Sequence, residues 1–367
     1  MEKKRVFVLF EDDTEILGNG QGHVMYRLYL PVLRYVELLK KYQIKSTFYV
    51  DIAHLLFLRN HAAIKDFGLQ ADLIEKSILY LLENDMEVQM HLHSQYVNAT
   101  LENDRIKVTN KWNIGQLTEV EQKDLFHNAF ECLESILQKS SKSRPLSSFK
   151  GGSWGLQPFK TLYTEFRKMG ITIVFGPVKG LKVNSLGIDY CSLESNQHPY
   201  YCDVSDINKI GTEKELIVVP MTPTYLNWFD LTRYLIHLKF QGFLKKFDKQ
   251  LDLGNEVAKI KFFNPLAGKD KLKMSLRPFQ THLKINAQPF WYLKKTFRRS
   301  YNAILKNEHE FKLIVVETHT KDFKNNFVDI ERFFEFLTKE YPNIEYITSS
   351  QLFGQLEDGS LNPLLKK

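Results

Sequence analysis

The chain has 367 residues, 43% of them hydrophobic and 25% charged, which allows one large core and excludes a disordered or fibrous protein. A formal net charge of +7 favours anionic partners without choosing between phosphate, nucleic acid, lipid and acidic glycan. Three cysteines, Cys132, Cys191 and Cys202, exclude a disulfide framework and a paired-cysteine zinc site and point to a reducing setting.

The N-terminal MEKKRVFVLFEDD lacks the apolar core of a signal peptide. No stretch reaches the ~18 uninterrupted apolar residues of a membrane helix. A cytoplasmic protein is expected, with room for peripheral contact at the inner membrane surface.

In chain order, Arg5–Phe10 reads as a buried strand that ends in Glu11, Asp12 and Asp13. Val24–Tyr42 has helical spacing and leads to a short strand at Ile44–Val50. Ala71–Asn84 is an amphipathic helix. Glu87–His91 alternates as a strand, and it is followed by His93. Residues i and i+2 of a strand share a face, so His91 and His93 would offer two imidazoles side by side, half of a metal site. Thr118–Gln138 is a helix opened by a Thr118–Glu121 capping box.

Ser148–Phe149 is extended and opens the loop Lys150-Gly151-Gly152-Ser153-Trp154-Gly155. That loop lacks the GK[ST] ending of a phosphate cradle. Its glycines allow close backbone approach, Lys150 offers a charge, and Trp154 offers a flat face for a sugar ring. Pro158–Met169 is helical. Ile171–Phe175, Leu216–Pro220, Leu313–Glu317 and Ile344–Ile347 are strands, and Asn326–Tyr341 is a helix. His319 follows the strand Leu313–Glu317 beside carboxylates, as a general acid would. Strands alternating with amphipathic helices argue for a parallel β/α architecture with the chemistry at the strands' carboxyl ends.

The stretch 232–312 breaks the rhythm. It holds roughly 18 Lys or Arg against about 6 Asp or Glu, together with many aromatics. It reads as an insertion, 1–231 and 313–367 being the core. Its basic face suits an anionic membrane surface or an anionic glycan. Nucleic acid is less well supported, because no recognised motif accompanies the charge.

Taken in order, the acidic end of the first strand, EVQMHLHSQY near residue 90, FKGGSWG near 150, ETHTKDF near 319 and the closing NIEYITSSQL resemble the polysaccharide deacetylases of the NodB-homology class (carbohydrate esterase family 4). The HLH and GGSWG forms resemble a divergent branch. The resemblance covers roughly 4–225 and 311–354. It implies a distorted (β/α)7-type barrel, a divalent metal, usually zinc, and an acetylated sugar or glycan as substrate. It implies one aspartate of the first motif as base, its neighbour and two histidines as metal ligands, and a late histidine, matched by His319, as acid.

Carried over by position, His91 is the first metal histidine. The usual second one falls at Gln95, and His93 is expected to substitute. One alignment makes Glu11 the base and Asp12 the ligand. A shift by one residue makes Asp12 the base and Asp13 the ligand. Asp12 is essential in either, and Glu15 is a further candidate in an Asp-Thr-Glu reading. Lys150, Gly152, Trp154 and Gln95 are expected to meet substrate, with Lys150 standing where the family has arginine. The expected reaction is hydrolysis of an acetyl group from a sugar. Gln95, Glu11 and Lys150 also fit an alternative, a glycan-binding or scaffolding protein that keeps the fold without efficient catalysis.

Overall fold

A computed structural model describes residues 5–64, 66–102, 105–245, 279–323 and 326–366. One sheet organises the chain. Its strands are β1 (Val6–Thr14), β2 (Ser46–Asp51), β3 (Glu87–Leu92), β4 (Ser148–Gly151), β5 (Ile173–Phe175), β6 (Tyr200–Tyr201) and β7 (Ile217–Val219). A two-stranded ribbon of β8 (Pro223–Leu226) and β9 (Phe279–His282) stands apart from it. β10 (Lys284–Ile285), β11 (Leu313–Thr318) and β12 (Ile344–Tyr346) then complete the sheet. The order is β6-β7-β5-β4-β3-β2-β1-β11-β10, with β12 also beside β1. All pairings in it are parallel except β6 with β7. The sheet curls as a half-barrel, in line with the architecture expected from the sequence.

Helices α1 (Leu30–Lys41), α2 (Ile52–Asn60), α3 (Phe67–Glu83), α4 (Glu119–Leu137) and α5 (Lys160–Lys168) follow the early strands. After these come α6 (Trp228–Lys245), α7 (Phe290–Lys306), α8 (Phe327–Glu340) and α9 (Ser349–Glu357). α4 starts where its sequence dictates: the Thr118 side chain accepts from Glu121 N, and the Glu121 carboxylate accepts from Thr118 N. α2 was not read from the sequence. Asp51 caps it, accepting from His54 N at 3.4 Å, and its apolar residues are spread around the helix rather than along one stripe, because it is buried on most sides.

Two cores lie on opposite faces of the sheet, and the strand period of 2 sorts residues between them. Val6, Val8 and Phe10 pack with the helical layer, whereas Phe7 and Leu9 line the inside of the curl. β11 repeats this, with Ile314 and Val316 outward and Leu313 and Val315 inward. In β1 and β11 the inward rows are apolar at the amino ends and turn polar toward the carboxyl ends, at Glu11, Asp13 and Glu317. Below β3, the Glu87 carboxylate accepts from Ser350 N at 3.1 Å and from the Ser350 hydroxyl at 2.6 Å, at the N-terminus of α9. A carboxylate there complements the helix dipole. The closing NIEYITSSQL thus plugs the curl at the end away from the polar mouth.

Of the stretch 232–312, residues 246–278 lie outside the described residues. β10 joins the main sheet beside β11. α7 lies against α8, with Phe297 edge-on to Phe333 at 5.8 Å.

The C-terminal tail is held by His198, which donates from Nε2 to Asn362 O at 3.0 Å and stacks on His309 with ring centroids 3.8 Å apart. Burial pushes the His198 imidazole down to about 4, against the pull of that carbonyl, and nearby His309 and Lys312 add to the shift. The folded chain keeps His198 neutral while the unfolded chain protonates it near 6.5. The contribution is therefore complete above pH 6.5 and is lost as pH falls toward 4, by roughly 2–3 kcal/mol. Urea midpoints between pH 7 and pH 4 should show a shallower acid loss in His198→Phe than in the wild type; equal slopes would exclude this histidine as the cause.

Candidate metal centre and active site

At the mouth of the curl, the inward row of β1 continues from Phe7 and Leu9 into Glu11 and Asp13, and Glu15 follows. β3 contributes His91, with His93 just beyond it, β4 contributes Lys150, and β11 contributes Glu317 with His319 after it. Glu11, His91, Lys150 and Glu317 are each 0% exposed.

Glu15, His91 and His93 converge. Glu15 Oε2 abuts His93 Nε2 and lies 3.7 Å from His91 Nε2. These three atoms are buried, and none has a hydrogen-bond partner. His91 Nδ1 donates to Lys150 O at 2.7 Å, which leaves the Nε2 lone pair facing the cluster, as in a metal-ligating histidine. Two imidazoles and a carboxylate, all within ligand distance of one another, fit a divalent metal. A second possible ligand group, Asp13, Glu15 and His319, shares Glu15 with the first.

Charge explains how so many acids coexist here. Burial alone would raise every carboxyl group. For Asp13 the Lys150 ammonium at 2.8 Å, with His91 and His319, outweighs burial and holds it at about 2. Glu317 is likewise held well below the usual range by Lys150, His282 and His319, and Glu15 by His93 and Lys321. Glu11 is different. Burial pushes it up to about 8 although Lys150 lies 2.7 Å away, so it carries a proton at neutral pH. Burial opposes charge on His93, yet Glu15 and Asp51 carry its imidazole up to about 9.

His319 sits between two acids. Nε2 is 3.3 Å from Asp13 Oδ2, and Nδ1 is 3.3 Å from Glu317 Oε1. These raise its pKa above the ordinary value against the cost of burial. The imidazole sits at the mouth, 13% exposed, with its charged form favoured by the two acids.

The glycine loop approaches this cluster closely. A side chain at Gly152 would meet Leu92 O at 2.7 Å and the His93 ring at 2.9 Å, so only glycine fits. Ser153 and Trp154 adopt positive φ of 53° and 57°, a strained conformation for non-glycine residues. The turn brings Trp154 Nε1 onto Glu317 Oε2 at 3.0 Å, with the indole edge-on to His282 at 5.5 Å.

Several expected residues lie elsewhere than their expected roles require. Asp12 does not reach the Glu15–His91–His93 cluster. It follows Val8 and Phe10 on the outward face, where its carboxylate accepts from Thr14, Thr318 and Thr320 hydroxyls and from Thr320 N at 2.8–3.1 Å. The alternation that places Asp13 inward must place Asp12 outward. Glu11 is inward but lies against Lys150, and Lys150 is sealed among Glu11, Asp13 and Glu317, closed to substrate. Asp13 pairs with Lys150 and His319. Gln95 is fully buried, donating to Gly18 O at 2.9 Å with its Nε2 2.6 Å from His93 Nδ1; it braces the second imidazole.

Sequence reasoning missed three residues. Asp51 accepts from His93 N at 3.2 Å, Lys321 pairs with Glu15, and His282 Nε2 lies 3.3 Å from Glu317 Oε1. The ETHTKDF motif contained Lys321. Nothing local marked His282, which lies within the basic stretch.

No family model and no curated protein matches the chain. A solved structure named "putative polysaccharide deacetylase from Mycobacterium smegmatis" aligns over 100% of this chain and 96% of its own, at 12% identity and a TM-score of 0.55. Puue allantoinase aligns over 96% and 90% at 12% identity and 0.47. A "probable Polysaccharide deacetylase from Pseudomonas aeruginosa PAO1" aligns over 94% and 88% at 11% identity and 0.46. The likeness to the first is one of architecture, and on it the chain has the polysaccharide deacetylase fold, a curled and mostly parallel α/β sheet with its polar mouth at the carboxyl ends of the strands.

Proposed function

We propose that the chain is a metal-dependent deacetylase acting on an N-acetylated sugar of a glycan or glycolipid. The observation that carries this reading is the convergence of the orphaned atoms of Glu15, His91 and His93 beside the Asp13–His319 pair. A divalent metal of the zinc kind, held by Glu15, His91 and His93, would supply Lewis-acid polarisation of the acyl carbonyl and of water.

The chain's own residues do the rest. Asp13, kept ionised by Lys150, orients and accepts a proton from the attacking water. His319 Nε2–H donates to the departing sugar amine. Glu317, itself anchored by Trp154 Nε1–H and His282, faces Nδ1 and stabilises the charged imidazole. Trp154 borders the mouth, where a sugar ring would stack.

Elemental analysis and acetate release from N-acetylated oligosaccharides test the reading together. About one metal ion per chain with measurable acetate release is expected. A chain that takes up no metal on addition of zinc, manganese or cobalt would overturn it and favour the glycan-binding alternative. His319→Gln should retain the metal and lose roughly 10²–10⁴-fold in turnover, the usual range for a positioned acid. Turnover unchanged in that variant would remove His319 from the mechanism.

A further inference from the structure

α6 presents large side chains on two sides. Its inner face docks on α7: Tyr234 lies 4.8 Å from Tyr292, and the buried Asp230 carboxylate binds Arg299 at 2.8 Å and also Lys295. Its outer face carries Trp228, Phe229, Leu235 and Ile236, 51–66% exposed. At 100° per residue these four fall within an arc of about 120°, since 235 and 236 lie about two turns beyond 228 and 229. Large apolar side chains exposed singly are ordinary, but four on one helical stripe mark a contact surface.

The charge around this stripe selects the partner. Arg233 lies on the same helix, its guanidinium 4.2 Å from the Trp291 ring. Together α6 and α7 carry eight Lys or Arg against a single acid, Asp230. A second copy docked face to face would bring two such basic regions together and repel. An anionic lipid surface matches both the cations and the amphipathic aromatics. No described helix is long and apolar enough to cross a membrane, so the geometry points to a helix lying in the interface. We propose that the outer face of α6 seats the protein on an anionic bilayer surface.

The seat is coupled to the mouth. β8 and β9 pair from Pro223–His282 to Leu226–Phe279, with His282 at the site and α6 starting two residues after Leu226. At about 3.3 Å per residue, α6 begins roughly 15 Å from the site. On the deacetylase reading, and resting on it, this favours a membrane-anchored acetylated glycan as substrate. The lipid contact itself does not depend on that reading.

The test is co-sedimentation of the full chain with vesicles of phosphatidylcholine alone or with phosphatidylglycerol added. Binding to the phosphatidylglycerol vesicles, weakened at least tenfold in Phe229→Glu/Ile236→Glu, is expected, with the variant's thermal midpoint within about 2 °C of the wild type. His91→Ala should bind vesicles like the wild type even if the metal reading fails, which separates the two proposals. No binding of the wild type, or equal binding of the double variant, overturns the seat. A wild-type dimer in solution that the double variant dissociates, without vesicle binding, would assign the face to a second copy and overturn it too.

Discussion

Glu15→Gln should abolish metal uptake and, on the proposed deacetylase reading, acetate release with it. The variant keeps the side chain's shape and removes only its charge. Two imidazoles alone do not make the three-ligand set of a catalytic site. Loss of a group that merely supports a ligand costs about 10–100-fold in affinity or activity, and removal of the ligand itself should exceed that. Asp12→Asn is the control, because Asp12 faces the helical layer and its oxygens are held by Thr14, Thr318 and Thr320. It should keep the metal, and disturbing its buried hydrogen bonds should cost about 1–3 kcal/mol of stability. Metal content by elemental analysis decides between them. Metal retained in Glu15→Gln and lost in Asp12→Asn would reverse the assignment and restore Asp12 to the centre.

Lys150→Met should be among the most destabilising single changes in this chain. Its ammonium is the common partner of Glu11, Asp13 and Glu317 in a fully buried setting. Removing one partner of a buried ion pair costs about 3–5 kcal/mol, because the remaining charge is left uncompensated. Glu11 already holds a proton at neutral pH, so the cost falls on Asp13 and Glu317. Without Lys150 their folded-state pKa values rise above the unfolded ones. A carboxyl raised on folding contributes stability in acid that is lost as pH rises through the folded pKa. The deficit of the variant should therefore be smallest near pH 4 and grow toward pH 8. Urea midpoints across that range test both parts. A loss under about 1 kcal/mol at pH 7.5 would mean that the carboxylates find other compensation.

The acidic strand end, the paired histidines, the glycine loop and the late histidine were legible in the sequence because each lies within a few residues of a strand end. Period 2 then settles facing locally. It is the reason His91 and His93 share a side, and it equally puts Glu11, Asp13 and Glu15 on one side and Asp12 on the other. Aligning the first strand by the order of its acids, rather than by this alternation from Phe7 and Leu9, is what placed Asp12 at the centre. α2 was missed because a helix buried on most sides shows no apolar stripe.

By itself, the sequence determined the parallel α/β class, most of the strands and helices, the capping of α4, and the set of titratable residues at the carboxyl ends. These follow from periodicity and short-range geometry. Only the tertiary structure decided which charges meet. Lys150 is buried among acids from β1 and β11, Glu317 backs His319, Lys321 pairs with Glu15, and His282 arrives from the far side of the basic stretch. Such partners are separated by up to about three hundred residues, and no local pattern encodes their contact. Burial also sets their protonation: the same carboxyl chemistry gives a proton-bearing Glu11 and an ionised Asp13 two residues apart, because the energy of a buried charge depends on what lies across the sheet from it.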